Sequence, residues 1–165
     1  VDLQFKKILV IQNARSKSTR AIELAVELAS ESGGKVLVVD FVNKPTWVWR
    51  ELMDEDDWMD KQLDARAEAI HCLISKAGIN DEFVDVEAID GRPIQEIVVR
   101  VIRGNYDLVV KDAMAESAEI FFGSLDMRLM RFCPAPVLLT RPESKVGFKK
   151  FLPRSTRRWT QIAIT

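Results

Sequence analysis

Few stretches of this sequence gather side chains that could do chemistry, and each has a plainer reading beside it. Ser16-Lys17-Ser18-Thr19 offers hydroxyls and a helix start to a phosphate. It has no glycine for close backbone approach, and a helix cap accounts for it equally well. Asp54-Glu55-Asp56-Asp57 has the charge to hold a divalent cation. Adjacent carboxylates on a helix fan outward, however, so the run is expected to sit at the positive end of a helix dipole. His71, the only histidine, stands beside Cys72. A Cys-His pair makes a nucleophile when the two side chains meet, but helix neighbours project about 100° apart. Both are expected to be buried packing residues, as is Cys133 ahead of Pro134. Trp47, Trp49 and Trp58 would cover a long connection or floor a ligand cleft. No spacing of Gly, four residues and Gly-Lys-Ser/Thr occurs, and no glycine cluster follows the first apolar run. Gln12-Asn13 lacks the paired acids of a phosphoacceptor. No acid, base and nucleophile form a set.

The elements that would position these residues follow from the hydrophobic period. Ile8-Leu9-Val10-Ile11 and Val36-Leu37-Val38-Val39 are continuous branched runs, which predict strands buried on both faces. Between them, Ser18 to Ser32 reads as a helix with Glu23, Glu27 and Glu31 on its wet side, stopped by Gly33-Gly34. A longer polar connection leads to a helix within about 54–76. Phe83 to Ile89 alternates, as a strand at a sheet edge does. Pro93 opens a third helix and Gly104 closes it. Leu108-Val109-Val110 is another buried strand, Ser124–Phe132 a short helix, and Val137-Leu138-Leu139 the last strand. Five strands alternating with four helices predict an α/β fold: a parallel sheet with helices on both faces. Such sheets bind ligands beyond the C-terminal ends of their strands, here Gln12-Asn13, Asp40 and Lys111 onward. An apolar last strand at an edge would expose a sticky ladder. A homodimer through Val137–Leu139 is therefore expected, with cover by a single amphipathic neighbour such as the tail as the competing explanation.

Composition narrows the class. The 165 residues carry 24 basic and 25 acidic side chains, with 47% hydrophobic residues, which is the make-up of one globular domain. The six basic and no acidic residues of 144–165 leave the rest with a net charge of -7. That acidity argues against nucleic acid as a partner. No apolar run approaches the roughly 18 residues that would span a bilayer, and the N-terminal stretch has no cleavage pattern of a secretory signal. Two cysteines cannot build a disulfide framework, so a cytoplasmic location is expected.

Several short stretches, taken in order, resemble the universal stress protein family: Lys7-Ile-Leu-Val-Ile-Gln-Asn13, Ser32-Gly-Gly-Lys-Val-Leu-Val-Val39, Gly91-Arg-Pro93, Tyr106-Asp-Leu-Val-Val110, and Gly123-Ser124 followed by Cys133-Pro-Ala-Pro-Val-Leu139. The resemblance covers about residues 5–141. It implies a five-stranded parallel sheet in the order 3-2-1-4-5, a Rossmann-like fold of the adenine nucleotide alpha hydrolase type. ATP-binding members carry an Asp after the first strand and a glycine-rich loop after the fourth. Carried over, the positions of a nucleotide site are Asn13, Val39, Lys111, Gly123 and Ser124. Asn13 replaces the Asp, and Lys111 stands at the first loop glycine. Asp112-Ala-Met-Ala-Glu-Ser117 has no glycine and adds two carboxylates where a triphosphate would lie. Lys111 is expected at the surface, paired with Asp112. No cofactor is expected, with ATP as the alternative. The glycine-free loop resembles the first domain of tandem, E-type members. Gln4-Phe-Lys-Lys-Ile-Leu-Val10 is echoed by Gly147-Phe-Lys-Lys-Phe-Leu-Pro153, so residues 1–143 are read as the domain and 144–165 as a basic tail, the truncated start of a second copy. The expected role is a non-enzymatic regulatory module with unidentified protein partners. The alternatives are an ATP-binding protein with slow hydrolysis or phosphotransfer, and an interaction module using the tail and the Trp-bearing connection.

Overall fold

The computed structural model describes residues 4–43, 54–113 and 125–141. Its elements run β1 (Lys7–Ile11), α1 (Arg20–Ser32), β2 (Lys35–Val42), α2 (Glu55–Ala77), β3 (Val84–Asp90), α3 (Pro93–Gly104), β4 (Leu108–Asp112), α4 (Leu125–Phe132) and β5 (Val137–Thr140). All strand pairs are parallel, and the order β3-β2-β1-β4-β5 is the expected one. Trp47, Trp49, Gly123, Ser124 and the basic tail lie outside the described residues.

Each sheet face has its own core. Ile8 and Val10 of β1 point toward α1 and α2, whose Ile22, Ala25, Ile70 and Ile74 cover them. Leu9 and Ile11 point the other way, onto Ile94, Ile97 and Val101 of α3 and Leu129 of α4. Alternation along the strand divides one apolar run between two helical layers, so the central strands are apolar at every position.

Helix ends follow local chemistry. Asp54 caps α2, accepting a 3.4 Å hydrogen bond from the Asp57 amide, which places the acidic run at the helix start. Gly33 ends α1 at φ 61°, and Gly34 then passes so close to β1 that a Cβ would lie 2.7 Å from the Phe5 carbonyl oxygen. At the end of α3 the left-handed residue is Asn105 (φ 50°), not Gly104. Gly104 makes room instead for Tyr106, whose ring a Cβ there would strike. His71 and Cys72 are both exposed on α2 rather than buried. The buried stripe of that helix runs through Met59, Ile70 and Ile74, and positions 71 and 72 fall outside it. Cys133 does pack against the α3–α4 core, and burial pushes its thiol pKa up.

The two edges of the sheet differ. On β3, Glu87 takes a bidentate pair of hydrogen bonds from Arg100 at 2.7 and 2.8 Å, and Asp85 is exposed beside it. Charges of this kind blunt an edge. On β5 the residues are Val137, Leu138, Leu139 and Thr140, with Leu138 exposed. Among the described residues no helix is long and apolar enough to cross a membrane.

Candidate functional site

Strand order reverses between β1 and β4, and a cleft of about 520 Å³ opens at their C-terminal ends. That volume lies within the range of small-molecule sites. Its described walls are Gln12 and Asn13 after β1, Asp40 and Phe41 of β2, Lys111 and Asp112 of β4, and the starts of α3 (Pro93) and α4 (Leu125).

The β1 side is held by side chains turned on their own backbone. Gln12 continues the sheet, its amide donating to the Val39 carbonyl at 2.9 Å. Its buried side chain donates to the Ser18 carbonyl at 3.0 Å. Asn13 folds the chain into a turn, its Oδ1 accepting from the Arg15 amide at 2.9 Å. Asp40 ties this turn to β2. Oδ2 accepts from the Ala14 amide at 2.9 Å and from Arg66 Nη1 at 3.0 Å, while Oδ1 accepts from the Phe41 amide at 2.8 Å. The Asp40 and Arg66 side chains are 8% and 18% exposed. The pair is therefore a buried one, fully engaged in positioning the loop.

The β4 side is built around Lys111. It is buried rather than at the surface, and its partner is not the Asp112 carboxylate. Nζ donates to the Asp112 backbone carbonyl at 2.7 Å and lies 2.7 Å from Asp126 Oδ1 in the first turn of α4. The reason is directional. Consecutive strand residues point to opposite faces, so Lys111 faces α4 and Asp112 does not. Asp112 Oδ1 accepts from the Thr140 hydroxyl on β5, and Oδ2 is buried without a hydrogen-bond partner among the described residues.

Of the sequence-derived site residues, Asn13 and Lys111 meet in the cleft. Val39 is not among the cleft's lining residues; it is fully buried, with its carbonyl bonded to the Gln12 amide. Gly123 and Ser124 lie outside the described residues. Asp40, Arg66 and Asp126 were not singled out from the sequence as partners in ion pairs. A signal for Arg66 existed: it occupies the same stripe of α2 as Met59, Ile70 and Ile74. A charge on a buried stripe demands a partner.

Electrostatically the cleft is spent. Lys111 is the one cation among its described lining residues, and Asp126 neutralises it. Asp40 is neutralised by Arg66, which leaves Asp112 as the remaining charge.

Comparison with known proteins places this geometry. The family model described as "Universal stress protein family" matches residues 4–141. The universal stress protein E homolog of Haemophilus influenzae is 28% identical over 149 residues, covering 84% of this chain and 48% of that protein. The chain spans about half the length of the curated relatives it matches. Among solved structures, the universal stress protein UspA from Lactobacillus plantarum superimposes with a TM-score of 0.65 at 19% identity, covering 85% of this chain and 100% of that one. A universal stress protein solved in complex with cAMP gives a TM-score of 0.61 at 17% identity, covering 86% and 100%. With the sheet order, the switch-point cleft and a family match over residues 4–141, the chain belongs to the universal stress protein family.

Proposed function

We propose that this domain is a stress-response regulatory module that acts by binding partners, not by turnover, and that its cleft does not hold ATP in the manner expected of the family. One observation carries the reading. The Lys111 ammonium is already committed to Asp126 at 2.7 Å, and the Asp112 carboxylate also lines the cleft. A triphosphate brought there would meet a carboxylate and would have to displace an internal ion pair to gain a cation. The test is nucleotide content. Protein purified without added ligand should release no stoichiometric nucleotide on denaturation, and titration with Mg-ATP should give no heat at tens of micromolar. Near-stoichiometric ATP would overturn the reading.

A second reading has support of its own. The cleft has the size and place of a nucleotide site, and a relative of similar fold was solved with cAMP. In that case ATP, with slow hydrolysis or phosphotransfer, would engage Asn13, Lys111 and Ser124. Replacing Lys111 and Ser124 together by Ala would then abolish nucleotide affinity.

The module works as a cytoplasmic homodimer in this proposal, paired through the apolar edge Val137–Leu139. The contrast between the charged β3 edge and the apolar β5 edge supports this pairing. Leu138→Arg should convert a dimer to a monomer in sedimentation velocity, and a monomeric parent chain would refute it. A role for the basic tail in partner capture is tested separately by ending the chain at Arg141.

A further inference from the structure

Seven large hydrophobic side chains are exposed among the described residues, and they are not scattered. Val99 and Ile102 are on α3, Met127, Met130 and Phe132 on α4, and Leu138 on β5. Only Phe83 lies elsewhere. Helices α3 and α4 pack side by side on one face of the sheet, so five of these residues belong to a single helical layer. Ile102 and Met130 are 60% and 62% exposed, too far out for the domain's own core to explain.

The charges of that layer have one sign where they reach water. The exposed charged residues of α3 and α4 are Arg103, Arg128 and Arg131. The acids Glu96 and Asp126 are only partly exposed, and Asp126 is paired with Lys111. Arg100 is held by Glu87. The opposite layer is mainly acidic. Helices α1 and α2 expose Glu23, Glu27, Asp57, Asp60 and Glu68, among other acids, and none of the large exposed hydrophobics.

We infer that the outer face of α3 and α4 is a docking surface for an acidic, amphipathic helix of another protein. Two packed helices present a groove that a third helix fills with apolar residues spaced three and four apart. Methionines at 127 and 130 adapt to the shape of such a guest. The arginines match its charge, and the Arg131 guanidinium, 5.7 Å from the centre of the Phe132 ring, holds a cation at the rim. A second copy of this chain fits less well. Meeting face to face, the two layers would oppose arginine to arginine. Meeting front to back, the acidic layer would bring charge without apolar anchors, and the contact would propagate without closing.

The experiment uses the full chain and fluorescence anisotropy with a labelled helical peptide of about 18 residues, five turns long. It carries Leu and Phe along one stripe and Glu elsewhere; controls replace Glu by Lys, or the stripe by Ser. The acidic amphipathic peptide should bind in the micromolar range and lose affinity as salt is raised. Ile102→Glu and Met130→Glu should each weaken it at least about tenfold. Both positions face solvent, and far-UV circular dichroism checks that the variants fold. Arg103→Glu with Arg131→Glu should weaken the acidic peptide and remove the salt dependence. Four results would overturn the inference: no binding of the acidic peptide; equal binding of the Lys peptide; a Met130→Glu chain that changes from dimer to monomer; or flotation with phosphatidylglycerol vesicles that depends on the same residues.

Discussion

Asp126→Asn removes the carboxylate that neutralises Lys111 and keeps the shape of the side chain. The pair lies at 2.7 Å with side chains 10% and 15% exposed, so both charges are largely desolvated. Deleting one partner of such a pair costs about 3–5 kcal/mol, because the other charge is left buried and unpaired. The lower end applies here, since Lys111 keeps its 2.7 Å hydrogen bond to the Asp112 carbonyl. A loss of about 3 kcal/mol in a domain of this size lowers Tm by about 6–12 °C. Replacing both partners by apolar residues, Lys111→Met with Asp126→Leu, should recover most of that loss. The cycle closed by the Lys111→Met single variant then gives the coupling energy directly. The same Asp126→Asn change frees an ammonium at the cleft, so affinity for inorganic triphosphate should rise at least about tenfold over the parent, about 1.4 kcal/mol. The assays are urea or thermal unfolding and isothermal titration. An Asp126→Asn variant within about 0.5 kcal/mol of the parent, with unchanged triphosphate affinity, would refute the claim that this pair governs the cleft's charge.

Arg66→Met should cost about 2 kcal/mol, because Asp40 keeps the Ala14 and Phe41 amides. Asp40→Ala should cost about 3–5 kcal/mol, since it strands a buried guanidinium and two backbone donors; equal losses on urea denaturation would contradict this asymmetry. Gly34→Ala should lose about 2 kcal/mol or more, because its Cβ would lie 2.7 and 2.8 Å from backbone oxygens that cannot swing away. Gly33→Ala meets no such contact and should cost about 1 kcal/mol for its left-handed backbone. Burial raises the pKa of both Cys133 and Tyr106 above their ordinary values of 9.0 and 10.0. The unfolded chain then releases these protons first, so their contribution is complete below those values and is lost as pH rises through the higher folded ones. Cys133→Ser with Tyr106→Phe should flatten the alkaline side of the stability profile, and alkylation at pH 8 should label exposed Cys72 well before Cys133.

The fold was legible because its signals are local and repeated. Ile8 to Ile11 is apolar at every position, which only a strand covered on both faces requires, and the structure divides its side chains between two cores. The alternation of Phe83 to Ile89 marks an edge, and β3 is one. The errors arose where one residue type serves two purposes. Gly104 stands where a helix terminator would, yet the terminating backbone angle falls on Asn105, and the glycine yields space to a ring two residues on. Residue type assigns His71 and Cys72 to the interior, while the turn of α2 puts them in water. Type is a weaker guide than phase on the helix.

The cleft was legible in position and not in charge, for a physical reason. Its location follows from strand order alone, and Asn13 and Lys111 were found by it. Its electrostatics depend on pairs that join distant parts of the chain: Asp40 to Arg66 across β2 and α2, Lys111 to Asp126 across β4 and α4. No period in the sequence announces such a pair. What can announce one is a charge at a position the period reserves for the core. Arg66 on the Met59–Ile70–Ile74 stripe and Lys111 after Leu108-Val109-Val110 both meet that condition. A buried charge is stable only with a counter-charge, so each implies an acid nearby before any coordinates exist. Applied to Lys111, the rule calls for an acid on the element that faces it, and Asp126 in the first turn of α4 is that acid, 2.7 Å away.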